Sequence, residues 1–76
     1  MNNIKIKYPK NQTPKETYYD VNHIACFAIT QDITGECYLW KIKENGTLIK
    51  LKQGNTPTKL DEYATEQIKK GLNKIK

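Results

Sequence analysis

Cys37-Tyr38-Leu39-Trp40-Lys41-Ile42-Lys43-Glu44-Asn45-Gly46-Thr47-Leu48-Ile49-Lys50-Leu51-Lys52 is the stretch on which the reading of this chain turns. Two runs of aliphatic, aromatic and lysine residues flank Asn45-Gly46, and Asn-Gly is the favoured filling of a two-residue type I′ hairpin turn. A turn of that kind would place Glu44 opposite Thr47, Lys43 opposite Leu48, Ile42 opposite Ile49, Lys41 opposite Lys50, and Trp40 opposite Leu51. Trp40, Ile42, Ile49 and Leu51 would then share one face, and Lys41, Lys43, Lys50 and Lys52 the other, because side chains alternate along a strand.

Upstream, Ile24-Ala25-Cys26-Phe27-Ala28-Ile29 is apolar on both alternating sets, the pattern of a strand covered on two faces. Gln31 to Glu36 reads as a second hairpin loop. Four loop residues would set Phe27 against Trp40 and Ala25 against Ile42; three would set Ala28 against Trp40. The first is preferred because it joins the larger side chains. Nearer the N-terminus, Ile4, Ile6 and Tyr8 alternate with Lys5 and Lys7 and are read as a first strand closed by Pro9, with a loop from Lys10 to Glu16.

Downstream, Gly54-Asn55-Thr56-Pro57 ends the sheet. Either Thr56 before Pro57, or Thr58 with Asp61 three residues on, can cap a helix. Leu60, Tyr63, Ala64, Ile68, Leu72 and Ile75 recur at helical spacing as one apolar stripe. Asp61, Glu62 and Glu66 come early in that helix and Lys69, Lys70, Lys74 and Lys76 late, which suits its dipole. Gly71 weakens it locally. The expectation is one α+β domain over residues 1–76. It would have an antiparallel sheet of three to four strands in the order β-β-β-β-α, and one C-terminal helix packed on the face of Trp40, Ile42, Ile49 and Leu51.

With 76 residues there is room for one small core. No apolar run reaches the length of a membrane span, the first residues alternate instead of forming a secretory leader, and two cysteines are too few for a disulfide framework. A cytoplasmic protein is expected. The net charge is +5, and all 13 basic residues are lysine. Such a balance invites a polyanionic partner, although abundant Lys, Asn and Ile without Arg also fits an AT-rich coding sequence.

The hairpin register gathers Lys41, Lys43, Lys50 and Lys52 on the outer face, where Lys5 and Lys7 would join them. These six are the candidate nucleic-acid contacts. The plain alternative is a solvated face whose lysines guard the sheet edges. Leu39, Leu48, Cys37 and Ile24, with Cys26 and Ala28, would point the same way. An apolar centre rimmed by lysine fits a protein partner or a homodimer seam. The functional expectation is therefore a small basic non-enzymatic binding module associated with nucleic acid. Its alternative is a protein-interaction or inhibitor module of the phage or mobile-element accessory type.

Chemistry is thinly represented. His23 stands alone, Cys26 and Cys37 are eleven residues apart, serine is absent, and the four glycines are scattered. No catalytic pair, phosphate-cradling loop or four-ligand metal set emerges. No cofactor, metal, membrane contact or small-molecule substrate is expected.

Overall fold

The computed structural model describes residues 5–74, with side chains through residue 70. Four antiparallel strands, β1 (Gln12–Tyr19), β2 (Ala25–Asp32), β3 (Cys37–Ile42) and β4 (Leu48–Gly54), lie side by side in chain order and are followed by one helix, α1 (Pro57–Lys74). The α+β class and the strands-then-helix order are as expected.

The first strand is not the one expected. Lys5 to Pro9 form no strand, and Ile4 lies outside the described residues. Instead Gln12–Tyr19, much of which reads as a loop in the sequence, pairs with β2. As an edge strand it can hold Pro14, whose missing N–H would break a ladder only in a central strand. Lys15 is an extra residue between the pairs Pro14–Thr30 and Glu16–Ile29. A proline, a bulge and a lysine in succession guard this edge against further pairing.

The same loop joins all three hairpins. In the first, Asp20 N–H donates to Ile24 O at 3.0 Å and His23 N–H to Asp20 O at 2.9 Å. In the second, Asp32 bonds Glu36 at 3.0 Å and Gly35 returns to Asp32 at 3.1 Å. In the third, Lys43 bonds Thr47 and Gly46 returns to Lys43, both at 2.9 Å. The last loop residue is left-handed each time: His23 at φ 64°, Gly35 at 95° and Gly46 at 90°. This is the three-residue connection, a type I turn closed by a left-handed residue. Side-chain oxygens brace the loops. Asp20 Oδ1 accepts from Asn22 and Ile24 N–H at 2.8 and 3.0 Å, and Asp32 Oδ1 from Thr34 and Glu36 N–H at 2.9 and 3.1 Å. In the third loop Asn45 Oδ1 accepts from Thr47 N–H at 3.0 Å.

A type I′ turn would need Asn45 at positive φ, and among the described residues only Asn11 and His23 are non-glycine residues there. Gly46 therefore closes a longer loop, and the β3–β4 register moves by one. Ile42 pairs with Leu48, Lys41 with Ile49 and Trp40 with Lys50; Leu51 bulges before Leu39 meets Lys52. The β2–β3 hairpin likewise takes the shorter of its two candidate loops, so Ala28 pairs with Trp40.

The helix also takes the face opposite to the one expected. Its Leu60 and Ala64 pack on Ile29, Cys37 and Leu39, with Tyr18, Phe27 and Tyr63 half-buried around them. Thr56 stands before the first helical residue, Pro57, in the cap position. Ile68 continues the stripe half-buried, whereas the side chains of Leu72 and Ile75 lie outside the described residues. Tyr18 Oη donates to Asp61 Oδ1, tying β1 to the helix start.

Ala28, Thr30 and Ile42 are buried as well, yet stand apart from this cluster, on the other face of the sheet. The path of the N-terminal segment puts it in position to cover them. Lys7 N–H donates to Gly46 O at 3.0 Å beside the β3–β4 loop, while Gln12 pairs with Asp32 at the diagonally opposite corner. Residues 5–10 must cross between these corners, and Ile6, Tyr8 and Pro9 are half-buried along the way. The domain thus has three layers: helix, sheet and an extended strap.

Candidate nucleic-acid interface

The six lysines singled out by the sequence do not share a face. Lys41 is paired with Phe27 and Ile49 on the helix side, and Lys52 stands opposite buried Leu39 on that same side. Lys50 faces Trp40 on the outer side. The expected like-charge pair of Lys41 and Lys50 does not form. The cause is the one-residue change of register together with the reversed choice of face, since a slip of one exchanges inward and outward side chains.

What the fold brings together is an end. Lys43 opens the β3–β4 loop and Lys41 lies two residues before it. The Lys7 bond to Gly46 sets the exposed Lys5 and Lys7 against the same loop. The helix starts two residues after β4 and packs back over the sheet through Leu60 and Ala64, and Lys69 and Lys70 are exposed in its later turns. Asp32, Glu36, Asp61 and Glu62 lie toward the other end, at the β2–β3 loop and the helix start. Lys50 and Lys52 are occupied along β4. Lys50 Nζ donates to Gln53 Oε1 at 2.9 Å and stands 5.5 Å from the Tyr38 ring centre. Lys52 Nζ sits 4.9 Å from the ring centre of Tyr63 on the helix.

The outer face holds residues that the sequence reading assigned to the core beneath the helix. Tyr38 and Trp40 lie two apart on β3, with ring centres 6.1 Å apart and planes inclined at 32°. Trp40 Nε1–H donates to Thr30 Oγ1 at 2.9 Å, and the Thr30 hydroxyl in turn donates to Gln12 Oε1. A buried indole N–H needs such an acceptor, and the fully buried side chains of the helix-side cluster, Ile29, Cys37, Leu39, Leu60 and Ala64, offer only apolar groups and a thiol. Tyr38 Oη donates to Asp32 Oδ2 at 2.8 Å. The Thr34 hydroxyl first, and then this bond, hold the Asp32 carboxyl below the usual carboxylate value, and Asp32 holds the Tyr38 phenol above its own. The alternation Tyr38, Trp40, Ile42 was visible in the sequence; its side was not.

The protein-interface set fares differently. Leu39 and Cys37 are 0% and 1% exposed, inside the core between sheet and helix, so neither can meet a partner on the folded surface. Leu48 and Ile24 are half-buried. The large exposed apolar side chains are Tyr19 and Val21 near the first loop, Ile33 in the second, and Ile49 and Leu51 on β4.

His23 occupies a loop and is exposed. Cys26 and Cys37 are both free thiols, and burial raises the Cys26 pKa. Among the described residues no cluster of three or more His, Cys, Asp or Glu side chains could hold a metal ion, and no helix is long and apolar enough to cross a membrane. No family model matches the chain, and neither curated proteins nor solved structures include a significant match to it.

Proposed function

We propose that this chain is a small non-enzymatic binding module that associates with nucleic acid, meeting phosphates with the lysines around the β3–β4 loop. The observation that carries this reading is the gathering of Lys5, Lys7, Lys41 and Lys43 around the β3–β4 loop, where they outnumber that loop's one carboxylate, Glu44. A surface that sums like charges over a short distance attracts a polyanion and orients it. With no arginine in the chain, the commonest reader of guanine is missing, so affinity rests on phosphate contacts and sequence preference is modest.

Four phosphate contacts imply that log affinity for duplex DNA falls with log salt at a slope of about −3 to −4. The test is a titration of a short duplex at several salt concentrations, with the intact chain and with Lys5, Lys7, Lys41 and Lys43 all changed to Gln. These side chains are exposed, so the variant should fold. Its slope should collapse, whereas changing Lys52 to Gln should leave the slope nearly intact. An affinity indifferent to salt would remove this reading.

A further inference from the structure

We infer that the uncovered part of the outer sheet face is a stacking platform for single-stranded nucleic acid, formed by Tyr38 and Trp40 with Lys50 beside them. The inference rests on the nucleic-acid reading above and names the form of ligand that reading leaves open. It begins with the strap. Residues 5–10 run from the β3–β4 loop to the start of β1, on a path that can close over Ile42 and Ala28, whereas Tyr38, Lys50 and Gln53 on β3 and β4 keep exposed surface. There Tyr38 and Trp40 are only half-buried, and Lys50 and Gln53 are exposed.

The two rings are held at their polar ends. Tyr38 Oη is fixed on Asp32 at 2.8 Å and Trp40 Nε1 on Thr30 at 2.9 Å, so neither ring has to be ordered when a ligand arrives. Lys50 is steadied by Gln53, whose Nε2 donates to Glu36 Oε2 at 3.2 Å, and it places a cation 5.5 Å from the Tyr38 centre. Side-by-side rings, with a lysine ammonium over the Tyr38 ring that an incoming base would displace onto its phosphate, match what an unpaired strand offers: flat bases and a phosphate backbone. A duplex keeps its base faces stacked inside and has nothing to lay on such rings. Charge sets the path. Asp32 and Glu36, beyond Tyr38, repel phosphate, so the backbone runs from Lys50 toward Lys43 and Lys7 and joins the basic end. Tyr38 to Lys43 spans roughly 17 Å of strand at about 3.3 Å per residue.

Trp40 is the only tryptophan in the chain, so its fluorescence reports on the platform directly. The experiment titrates an oligothymidylate of about 12 nucleotides, and a duplex of equal length, into the intact chain and the variants Tyr38→Leu, Tyr38→Phe and Lys50→Gln. The expected results are quenching of Trp40 by the single strand, tighter binding of it than of duplex, and a loss of about 5- to 150-fold in single-strand affinity for Tyr38→Leu. Tyr38→Phe keeps the ring and should keep the affinity. Duplex binding should be unchanged in both. If Tyr38→Leu does not fold, Lys50→Gln decides, because it should lower the single-strand salt slope by about 0.7. Salt-dependent binding with no preference for the single strand, or a saturating single strand that leaves Trp40 unquenched, would overturn the platform and leave the basic end standing. No binding to either form would overturn both.

Discussion

Replacing His23 by glycine should stabilise this protein. The three hairpin loops share one geometry, but only the first places a side-chain-bearing residue in the left-handed position, His23 at φ 64° against Gly35 at 95° and Gly46 at 90°. A left-handed L-residue costs about 1–2 kcal/mol through contact of its Cβ with the following carbonyl, and histidine, which visits this region more readily than most, belongs at the lower end. Glycine removes that cost but gives back about 0.5–1 kcal/mol through the larger freedom of its unfolded state. The net gain for His23→Gly is therefore small, at most about 0.5 kcal/mol, a rise of up to roughly 4 °C in Tm for a domain of this size. Gly35→Ala is the control. A Cβ at Gly35 would meet nothing within 4 Å, so its cost is conformational alone, about 1–2 kcal/mol of backbone strain less the roughly 0.5–1 kcal/mol of unfolded-state freedom that alanine removes. Urea unfolding followed by Trp40 fluorescence reads both, and an unchanged m-value would confirm that only stability has moved. Should His23→Gly lower stability at constant m, its imidazole supports the loop in a way that outweighs the backbone strain, and the reasoning fails.

Leu39→Ala should cost about 2–5 kcal/mol of a total near 4–11, since Leu39 is fully buried beneath the helix; Ile33→Thr, at a side chain 90% exposed, should stay within about 0.5 kcal/mol. Urea unfolding that found Leu39→Ala neutral would contradict the placement of the core. Asp32→Asn tests the acid limb. The folded Asp32 carboxyl lies below its ordinary value of 3.8, held there by Thr34 and Tyr38. Its contribution is therefore complete above that value and is lost as pH falls through the folded one, so the stability gap between the native chain and the variant should close below about pH 4. A gap constant with pH, measured by circular dichroism, would refute this. Tyr18 gives the alkaline counterpart: burial first, then the bond to Asp61, pushes its phenol well above the ordinary 10.0. That contribution is complete below pH 10 and is lost as pH rises toward the folded value, so Tyr18→Phe should lose less stability above pH 10 than the native chain does. Equal alkaline losses in the two proteins would show that Tyr18 is not held by Asp61.

The candidate site was legible only in part. Lysine content, the position of the β3–β4 loop and the alternation of Tyr38, Trp40 and Ile42 could all be read from residue order. Which lysines would stand together could not, because Lys5 and Lys7 reach Lys43 through a strap bonded at Gly46 and not through a strand. The first strand was missed for a related reason. Gln12–Tyr19 carries Pro14 and the bulged Lys15, features that resemble a loop locally and become permissible only at the edge of a sheet.

The succession of strands before one helix, the apolar stripe of Leu60, Tyr63, Ala64 and Ile68, and the bend at Asn45-Gly46 are properties of neighbouring residues, and the sequence determined them unaided; the place of the first strand it did not. The tertiary structure decided register and side. Gly46 serves equally as the second residue of a two-residue turn or the last of a three-residue loop, and those choices differ by one position in a lattice whose side chains repeat every two. The alternation of β3 sets Tyr38, Trp40 and Ile42 against Cys37, Leu39 and Lys41 and so favoured the first set, wrongly, for the helix side. The choice fell to what covers each one: Leu60 and Ala64 close over Leu39 and Cys37, while Trp40 finds its acceptor in Thr30 on the side of the strap.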